Sequence, residues 1–529
     1  MNKNRPPVKK AASKLGRLIR RPATLTLTKW DWRYLALVTI IFAIVYSAVY
    51  DEKIDLNGDN VNYYLLGKAI AAGKGYVVLS REDEPKAHHF PPGYPAIIAA
   101  VMTLVSPNLV VVKVANGLFL VGSVWLLYLL ILRITNDRNT SLVISVLILL
   151  NTHFLRSATI MMSEIPFFFF SMLAFYLFTS IKLEENPIRN PVFYAFLFCL
   201  SLTYYIRTAG IAIFGGILLY LLLKKQWRFL ACTFSGYVLL AVPWIIRGRS
   251  LGGNAYLLQL VQVNPYRPEL GTLSISSLVI RIFNNISRYI TKEIPNGLFP
   301  FIPINYQQMS FPGWILGLVI LALIGYGVYR LAPQYRLLVL GYLVGTFSIL
   351  LLWPDVWFGV RFLLPAIPFL LLGLIVGLEN LIRLGMNRLN VSWRFSSLVF
   401  LVLLIFYYPA INGLRIQARA PYPRNWQNYF HAAIWLGKNS SPDVVVSCRK
   451  PGMFYFFSNR HCVSYPYTLD DQVMLDSFVR NGVDFVVLDQ LGYASTSRYL
   501  YPAILKHQEK FPVIQQYKNP DTYLLAFRP

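Results

Sequence analysis

The sequence predicts a mainly α-helical, polytopic membrane protein with about eleven transmembrane helices and a small C-terminal α/β domain outside the bilayer. Three observations predict it. Of 529 residues, 56% are hydrophobic and only 14% charged, whereas a soluble domain carries about 25% charge. Apolar runs long enough to cross a bilayer, about 17–25 residues each, recur up to residue 412. After that point they stop, and short apolar runs alternate with an amphipathic stretch.

Residues 1–33 carry ten Lys/Arg against one acid, Asp31. The net charge of +26 could suggest a nucleic-acid partner. Its concentration beside the first apolar run fits a cytoplasmic tail against anionic membrane lipid instead, so no nucleic acid is expected. A cleaved signal peptide is not expected, because the basic stretch is long and further spans follow.

Spans are expected near 34–50, 108–132, 140–158, 165–182, 192–206, 209–223, 228–246, 313–330, 336–353, 362–380 and 396–412. The connections "RITNDRN", "KLEENPIRN", "KKQWR", "RLAPQYR" and "RLGMNRLNVSWR" are all basic, which places them inside. Residues 51–93, with seven acids and five bases, then lie outside. "YPAIIAAVMTLVS" (94–106) is too short to span and is expected to lie along the outer membrane face. The domains read as a basic tail (1–33), a transmembrane domain (34–412) with outer loops 51–107 and 247–312, and an extracytoplasmic domain (413–529). In the last, "NWQNYFHAAIWLGKN" reads as a helix, and "DVVVSCR" and "VDFVVLD" as buried strands. Cys448 and Cys462 flank "RKPGMFYFFSNRH"; a disulfide and two buried thiols are both open.

Chemistry-bearing residues gather on the expected outer side. Asp59 follows Gly58 and precedes Tyr63, Tyr64 and a helix that Gly73 and Gly75 would stop. The plain alternative is a helix N-cap. Glu164, in "MMSEIPFFFF", opens an apolar span; a helix-start acid is its plain alternative. Ionisable groups at such depth are often functional, and two carboxylates on one cavity suit acid–base chemistry or a metal. His88 and His89 precede the stiff "FPPGYP" and add metal-binding capacity. Arg207 in "YYIRTAG" and Arg361 in "FGVRFLLPAIP" need anionic partners, either protein carboxylates or a lipid-linked phosphate. Arg281 and Arg288 are weaker phosphate candidates.

Taken together, "GDNVNYYLLGKAIAAGKGY", "HHFPPGYPAIIA", "MMSEIPFFFF", "YYIRTAG", "VPWIIRG", "VRFLLPAIPFLLL" and the C-terminal "NWQNYFHAAIWLGKNSSPDVVVSCRKPGMFYFFSNRHCVSYP" resemble, in order and spacing, the polytopic glycosyltransferases of the GT-C fold. The resemblance is to bacterial relatives of protein O-mannosyltransferases and of the lipid A aminoarabinose transferase. It implies an inverting transferase of the inner (plasma) membrane, moving a sugar from a polyprenyl-phosphate donor to a lipid, glycan or protein acceptor. It implies catalytic roles for Asp59 and Glu164, a donor-phosphate site at Arg207 and Arg361, and substrate contacts at Tyr63, His89 and Tyr94. A divalent metal is the one cofactor it suggests, at His88 and Glu164. The sequence departs from the family pattern where Asn60 follows Asp59 in place of a second acid, and where histidine stands at a glutamate position. A transporter or flippase of a cell-envelope lipid or polysaccharide is the rival reading. It would usually show paired halves or helices broken near the midplane, and no internal repeat is present.

Overall fold

The structure, a computed structural model, describes residues 26–253, 255–307, 311–389 and 396–529. Most of the expected basic tail lies outside the described residues. The helices run α1 (Lys29–Val49), α2 (Asp59–Ala71), α3 (Gly93–Leu104), α4 (Leu109–Thr135), α5 (Arg138–Leu149), α6 (Thr152–Thr159), α7 (Glu164–Phe178), α8 (Pro191–Ile206), α9 (Ile211–Leu223), α10 (Trp227–Ser250), α11 (Ala255–Val261), α12 (Ile275–Arg288) and α13 (Ile294–Leu298). They continue with α14 (Phe311–Arg330), α15 (Pro333–Leu352), α16 (Ile367–Arg388), α17 (Leu404–Arg419) and α18 (Arg424–Asn439).

A helix stands at each expected span. Among the described residues, seven are long and apolar enough to cross a membrane, eight if the bent pair α5–α6 counts as one. The expected count of eleven is therefore not met by length. The spans expected at 165–182, 192–206 and 209–223 are the shorter helices α7, α8 and α9. The expected span 140–158 is broken by 53° at Asn151. That side chain caps α6 by accepting from the His153 N–H at 3.0 Å and donates to the Gly297 carbonyl at 2.7 Å. Helices approach closely where both present glycine. A Cβ on Gly327 in α14 would lie 1.8 Å from the Gly373 carbonyl of α16, so only glycine fits that crossing.

Two expected boundaries shift. α1 starts at Lys29, inside the expected tail, because Asp31 is no tail residue: it is buried, caps the helix at Thr28, and binds Tyr128 at 2.7 Å and Arg138 at 3.0 Å. α17 continues past residue 412 to Arg419, because "NGLRIQAR" keeps helical geometry after the apolar run ends. α3, with 12 residues, is too short to span, as expected.

The C-terminal domain holds a five-stranded mixed sheet in the order β2-β1-β3-β5-β4. Its strands are β1 (Val445–Ser447), β2 (His461–Val463), β3 (Val483–Leu488), β4 (Val513–Tyr517) and β5 (Thr522–Ala526). β2, β1 and β3 are parallel, whereas β3, β5 and β4 are antiparallel. Between the strands lie α19 (Pro451–Ser458), α20 (Asp471–Arg480) and α21 (Tyr501–Lys506). Cys448, just after β1, and Cys462, in the neighbouring strand β2, are buried thiols. The domain sits on the first loop. Cys462 N–H donates to Ser80 O at 2.6 Å, Tyr422 to Ile54 O at 2.8 Å, and Lys450 Nζ to Asn57 O at 3.2 Å. That packing brings residues from both ends of the chain to one place.

Candidate functional site

A cavity of about 430 Å³ opens where the first loop, the α8–α9 break, the segment carrying Gln259 and Tyr266 and the turn before α16 meet. Asp59, His89, Arg207 and Arg361 form its polar end. Its flank is apolar and aromatic, with Ile349, Leu350, Trp353, Trp357, Phe358 and Phe362.

Local backbone explains how the polar groups arrive. Gly58 has φ +96°, which turns the chain so that α2 begins at Asp59, and the Asp59 side chain makes no capping bond. Arg207 is extended (φ −147°, ψ 133°) between α8 and a short turn, so the helix breaks at the arginine. Gly359, at φ +125°, precedes the turn Val360–Phe362 that carries Arg361.

The four charged groups form one chain. Arg361 Nη2 binds Asp59 Oδ2 at 2.8 Å, and its Nε binds Glu164 Oε1 at 3.0 Å. Arg207 Nη1 reaches the same Glu164 oxygen at 2.9 Å. It also donates to Ser163 Oγ at 3.0 Å, and Ser163 donates to the Tyr63 hydroxyl at 3.1 Å. Two carboxylates therefore neutralise two guanidiniums at the cavity's edge. Among the described residues no hydrogen bond reaches Asp59 Oδ1, and the side chain is 32% exposed.

The expected site residues thus divide. Asp59, Tyr63, His89, Arg207 and Arg361 all line the cavity. Glu164 does not: its side chain is 1% exposed beneath the arginines, so it positions them and cannot meet a substrate. Tyr94 is also excluded from the cavity. It is buried, packs edge-on against Tyr63 at 5.1 Å and bonds Asn116 at 3.3 Å, which makes it a support for Tyr63. His88 lines a smaller cavity with Trp244 and Arg249, which adjoins the first through His89, Pro91 and Thr208. The expected metal pair is not brought together: His88 lines the smaller cavity and Glu164 lies buried beneath the arginines, and no group of three His, Cys, Asp or Glu suited to a metal exists among the described residues. Arg281 and Arg288 are committed elsewhere. Arg281 is buried and donates to the Leu260 carbonyl at 2.8 Å and the Gln262 carbonyl at 2.5 Å; Arg288 pairs with buried Glu293 at 3.2 Å.

Sequence reasoning missed Ser163 and Lys450. Ser163 precedes Glu164 directly, which was a signal available in "MMSEIP". Lys450 gave none, since it comes from the C-terminal domain. Its Nζ would lie 3.2 Å from a Cβ on Gly58. Burial pushes its ammonium down to about 8, with Arg449 adding to that effect and Asp59 opposing it.

Comparisons agree with the architecture. The profile of the family described as dolichyl-phosphate-mannose-protein mannosyltransferase matches residues 98–248. That stretch includes Glu164 and Arg207 but neither Asp59 nor Arg361. The crystal structure of ArnT from Cupriavidus metallidurans bound to undecaprenyl phosphate is similar over 94% of this chain and 98% of its own, with a TM-score of 0.57 and 12% identity. The apo crystal structure of the same protein gives a TM-score of 0.56 at 12% identity and the same coverage. Comparison with curated proteins gives no match. At this identity the likeness shows the fold: the chain has the GT-C architecture that its motifs resemble.

Proposed function

We propose that the protein is an inverting glycosyltransferase of the inner membrane. It moves a sugar from a polyprenyl-phosphate-linked donor to a lipid, glycan or protein acceptor on the outer face. The observation that carries the reading is the Asp59–Arg361–Glu164–Arg207 chain at the polar end of a cavity whose flank is apolar. An oily carrier with a charged head has the same division. Similarity to a protein crystallised with undecaprenyl phosphate and to the mannosyltransferase family supports it.

In this reading Asp59 Oδ1 takes the proton of an acceptor hydroxyl. The hydroxyl oxygen attacks the anomeric carbon from the face opposite the phosphate. As the new C–O bond forms, the bond to the phosphate oxygen breaks and its electron pair leaves with the polyprenyl phosphate. Arg207 and Arg361 stabilise that charge; among the described residues Arg361 Nη1 is held only by Asn57 at 3.4 Å, which leaves an arm for an incoming oxygen. Tyr63 and His89 border the sugar. No step passes through a metal.

The test is transfer of a labelled sugar from polyprenyl phosphate by the purified full chain. Asp59→Asn keeps the shape and removes the base. Asp83→Asn is the control, since Asp83 is exposed and among the described residues pairs only with Arg81. General-base loss costs about 100- to 10,000-fold in rate. A folded Asp59→Asn protein within a few-fold of wild type would refute the assignment, and lipid movement without sugar transfer would favour a flippase.

A further inference from the structure

Cys199 lies in α8 and Cys232 in α10, whereas Cys448 and Cys462 share the C-terminal domain. In the parallel pair β1–β2, Val446 stands opposite Cys462. Cys448, two residues on from Val446, donates its N–H to the Val463 carbonyl at 3.0 Å. Residues two apart on a strand face the same side, so both thiols turn to one face of the sheet, where they are in hydrogen-bonding contact. Cys448 also meets the Tyr429 hydroxyl, and the Cys462 thiol donates to the Arg460 carbonyl at 3.0 Å. The two residues are 0% and 1% exposed. Burial holds the Cys462 thiol well above its usual range, and a protonated, buried thiol is neither a nucleophile nor a metal ligand. Nor does a third His, Cys, Asp or Glu join the pair in a group suited to a metal among the described residues.

The two cysteines bracket residues 449–461, and that segment rests on the first loop and on α2, which begins at Asp59. A Cβ on Gly452 would lie 2.4 Å from Asn62 Oδ1, and the Phe456 ring meets Tyr64 edge-on at 5.8 Å. Lys450 Nζ donates to Asn57 O at 3.2 Å. At the other root of the segment, Cys462 N–H donates to Ser80 O at 2.6 Å. Tyr429 joins the thiols to this contact surface, because its hydroxyl accepts the Lys450 N–H at 3.2 Å. Residues 57–80 are thus held from one side by a segment rooted at both ends in cysteine.

We infer that Cys448 and Cys462 are the site of a disulfide bond that closes residues 449–461 into a loop. The co-reactant is the disulfide form of a thiol oxidoreductase in the outer, oxidising compartment. One cysteine, as the thiolate of the unfolded chain, attacks a sulfur of the oxidant; the oxidant's S–S bond breaks and a mixed disulfide forms. The second cysteine attacks the mixed disulfide, the Cys448–Cys462 bond forms, and the oxidant leaves as a dithiol. Two electrons and the two thiol protons end on the oxidant. The exchange precedes the packing of β1 against β2, because the folded domain seals both sulfurs. The closed loop then restricts chiefly the unfolded chain, which favours the docked form of the segment. The inference is independent of the proposed transfer reaction and requires only that the domain face the oxidising side.

The test takes the full chain from the membrane in which it was made and unfolds it in the presence of N-ethylmaleimide, without reductant. Trypsin cuts after Arg449 and Arg460, which puts the two cysteines on different peptides. Mass spectrometry is expected to find those peptides joined, two hydrogens lighter than their sum, with only Cys199 and Cys232 alkylated. Alkylation of both Cys448 and Cys462, or a bond from either to Cys199 or Cys232, would overturn the inference. A second readout is the thermal midpoint of the purified protein. Cys448→Ala, Cys462→Ala and the double variant are expected to fall by the same amount, since losing either cysteine loses the same bond. Falls that add up in the double variant would mean two independent thiols and would also overturn it. The peptide measurement uses the unaltered chain, so it tests the bond even where a variant fails to fold.

Discussion

Two arginine–carboxylate clusters stand near the cavity, and they differ in access. In one, Arg361 links Glu164 and Asp59, and its side chain is 29% exposed. In the other, Arg288 pairs with Glu293 at 3.2 Å, with side chains 10% and 0% exposed. The sealed cluster has a structural job: Glu293 Oε1 accepts the Gly359 N–H at 2.8 Å, and Arg288 donates to the Asp355 carbonyl at 2.7 Å. It thereby fixes the loop that presents Arg361. The same chemical pair does two tasks, and only the open one has a carboxylate that lines the cavity, Asp59, whereas Glu293 is fully buried. Burial of charge does not itself mark a reactive group; an unfilled position facing a cavity does.

That contrast can be broken at its open end first. Asp59→Asn should lower turnover by about 100- to 10,000-fold with folding intact. Arg361→Ala should cost roughly 100-fold or more, because it removes a phosphate contact in a water-poor site. Unchanged donor affinity and turnover in that variant would take Arg361 out of the site.

The sealed cluster should respond in the opposite currency. Glu293→Gln leaves Arg288 buried beside a neutral amide, a change that costs about 3–5 kcal/mol when a buried pair is broken. The thermal midpoint should fall well before turnover does, and any lost turnover should return when the assay is cooled. A variant with wild-type stability and no activity would mean that Glu293 takes part in the reaction.

Asp489 sharpens the comparison because it is a buried acid in no ion pair among the described residues. Burial pushes its carboxyl up to about 6. In the unfolded chain the group ionises near 3.8. Between these values the unfolded chain gives up its proton first, so stability falls as pH rises through the window and stays lower above it. Two pKa units set a ceiling of about 3 kcal/mol. Asp489→Asn keeps the acceptor oxygen for Leu491 and Thr496 but leaves an amide without a partner, so the gain should be about 1 kcal/mol at pH 8 and absent at pH 4. Equal effects at both pH values would show that ionisation is not the cause.

Much of the architecture was legible in the chain. The apolar runs placed a helix at every expected span, and "DVVVSCR" and "VDFVVLD" gave β1 and β3. Asp59, Arg207 and Arg361 were legible because each stands out of place, a charge next to an apolar run or a glycine. Glu164 looked the same, yet it lies beneath the arginines. Tyr94 shared a motif with the histidines, yet it packs under Tyr63. Motif membership does not say which way a side chain turns once helices pack around it.

By itself the sequence determined the local matters: which segments are apolar enough for a membrane, where helices start and break, and that charges gather beyond the span ends. These follow from hydropathy and backbone preference, which act over a few residues. Only the tertiary structure decided the partners. Arg361 meets Glu164 across 197 residues and Asp59 across 302, and Lys450 reaches Asn57 across 393. No periodicity encodes such pairings. They exist because the C-terminal sheet docks on the first loop and the bundle closes around one cavity, where a buried charge must find an opposite charge or a hydrogen-bonding partner.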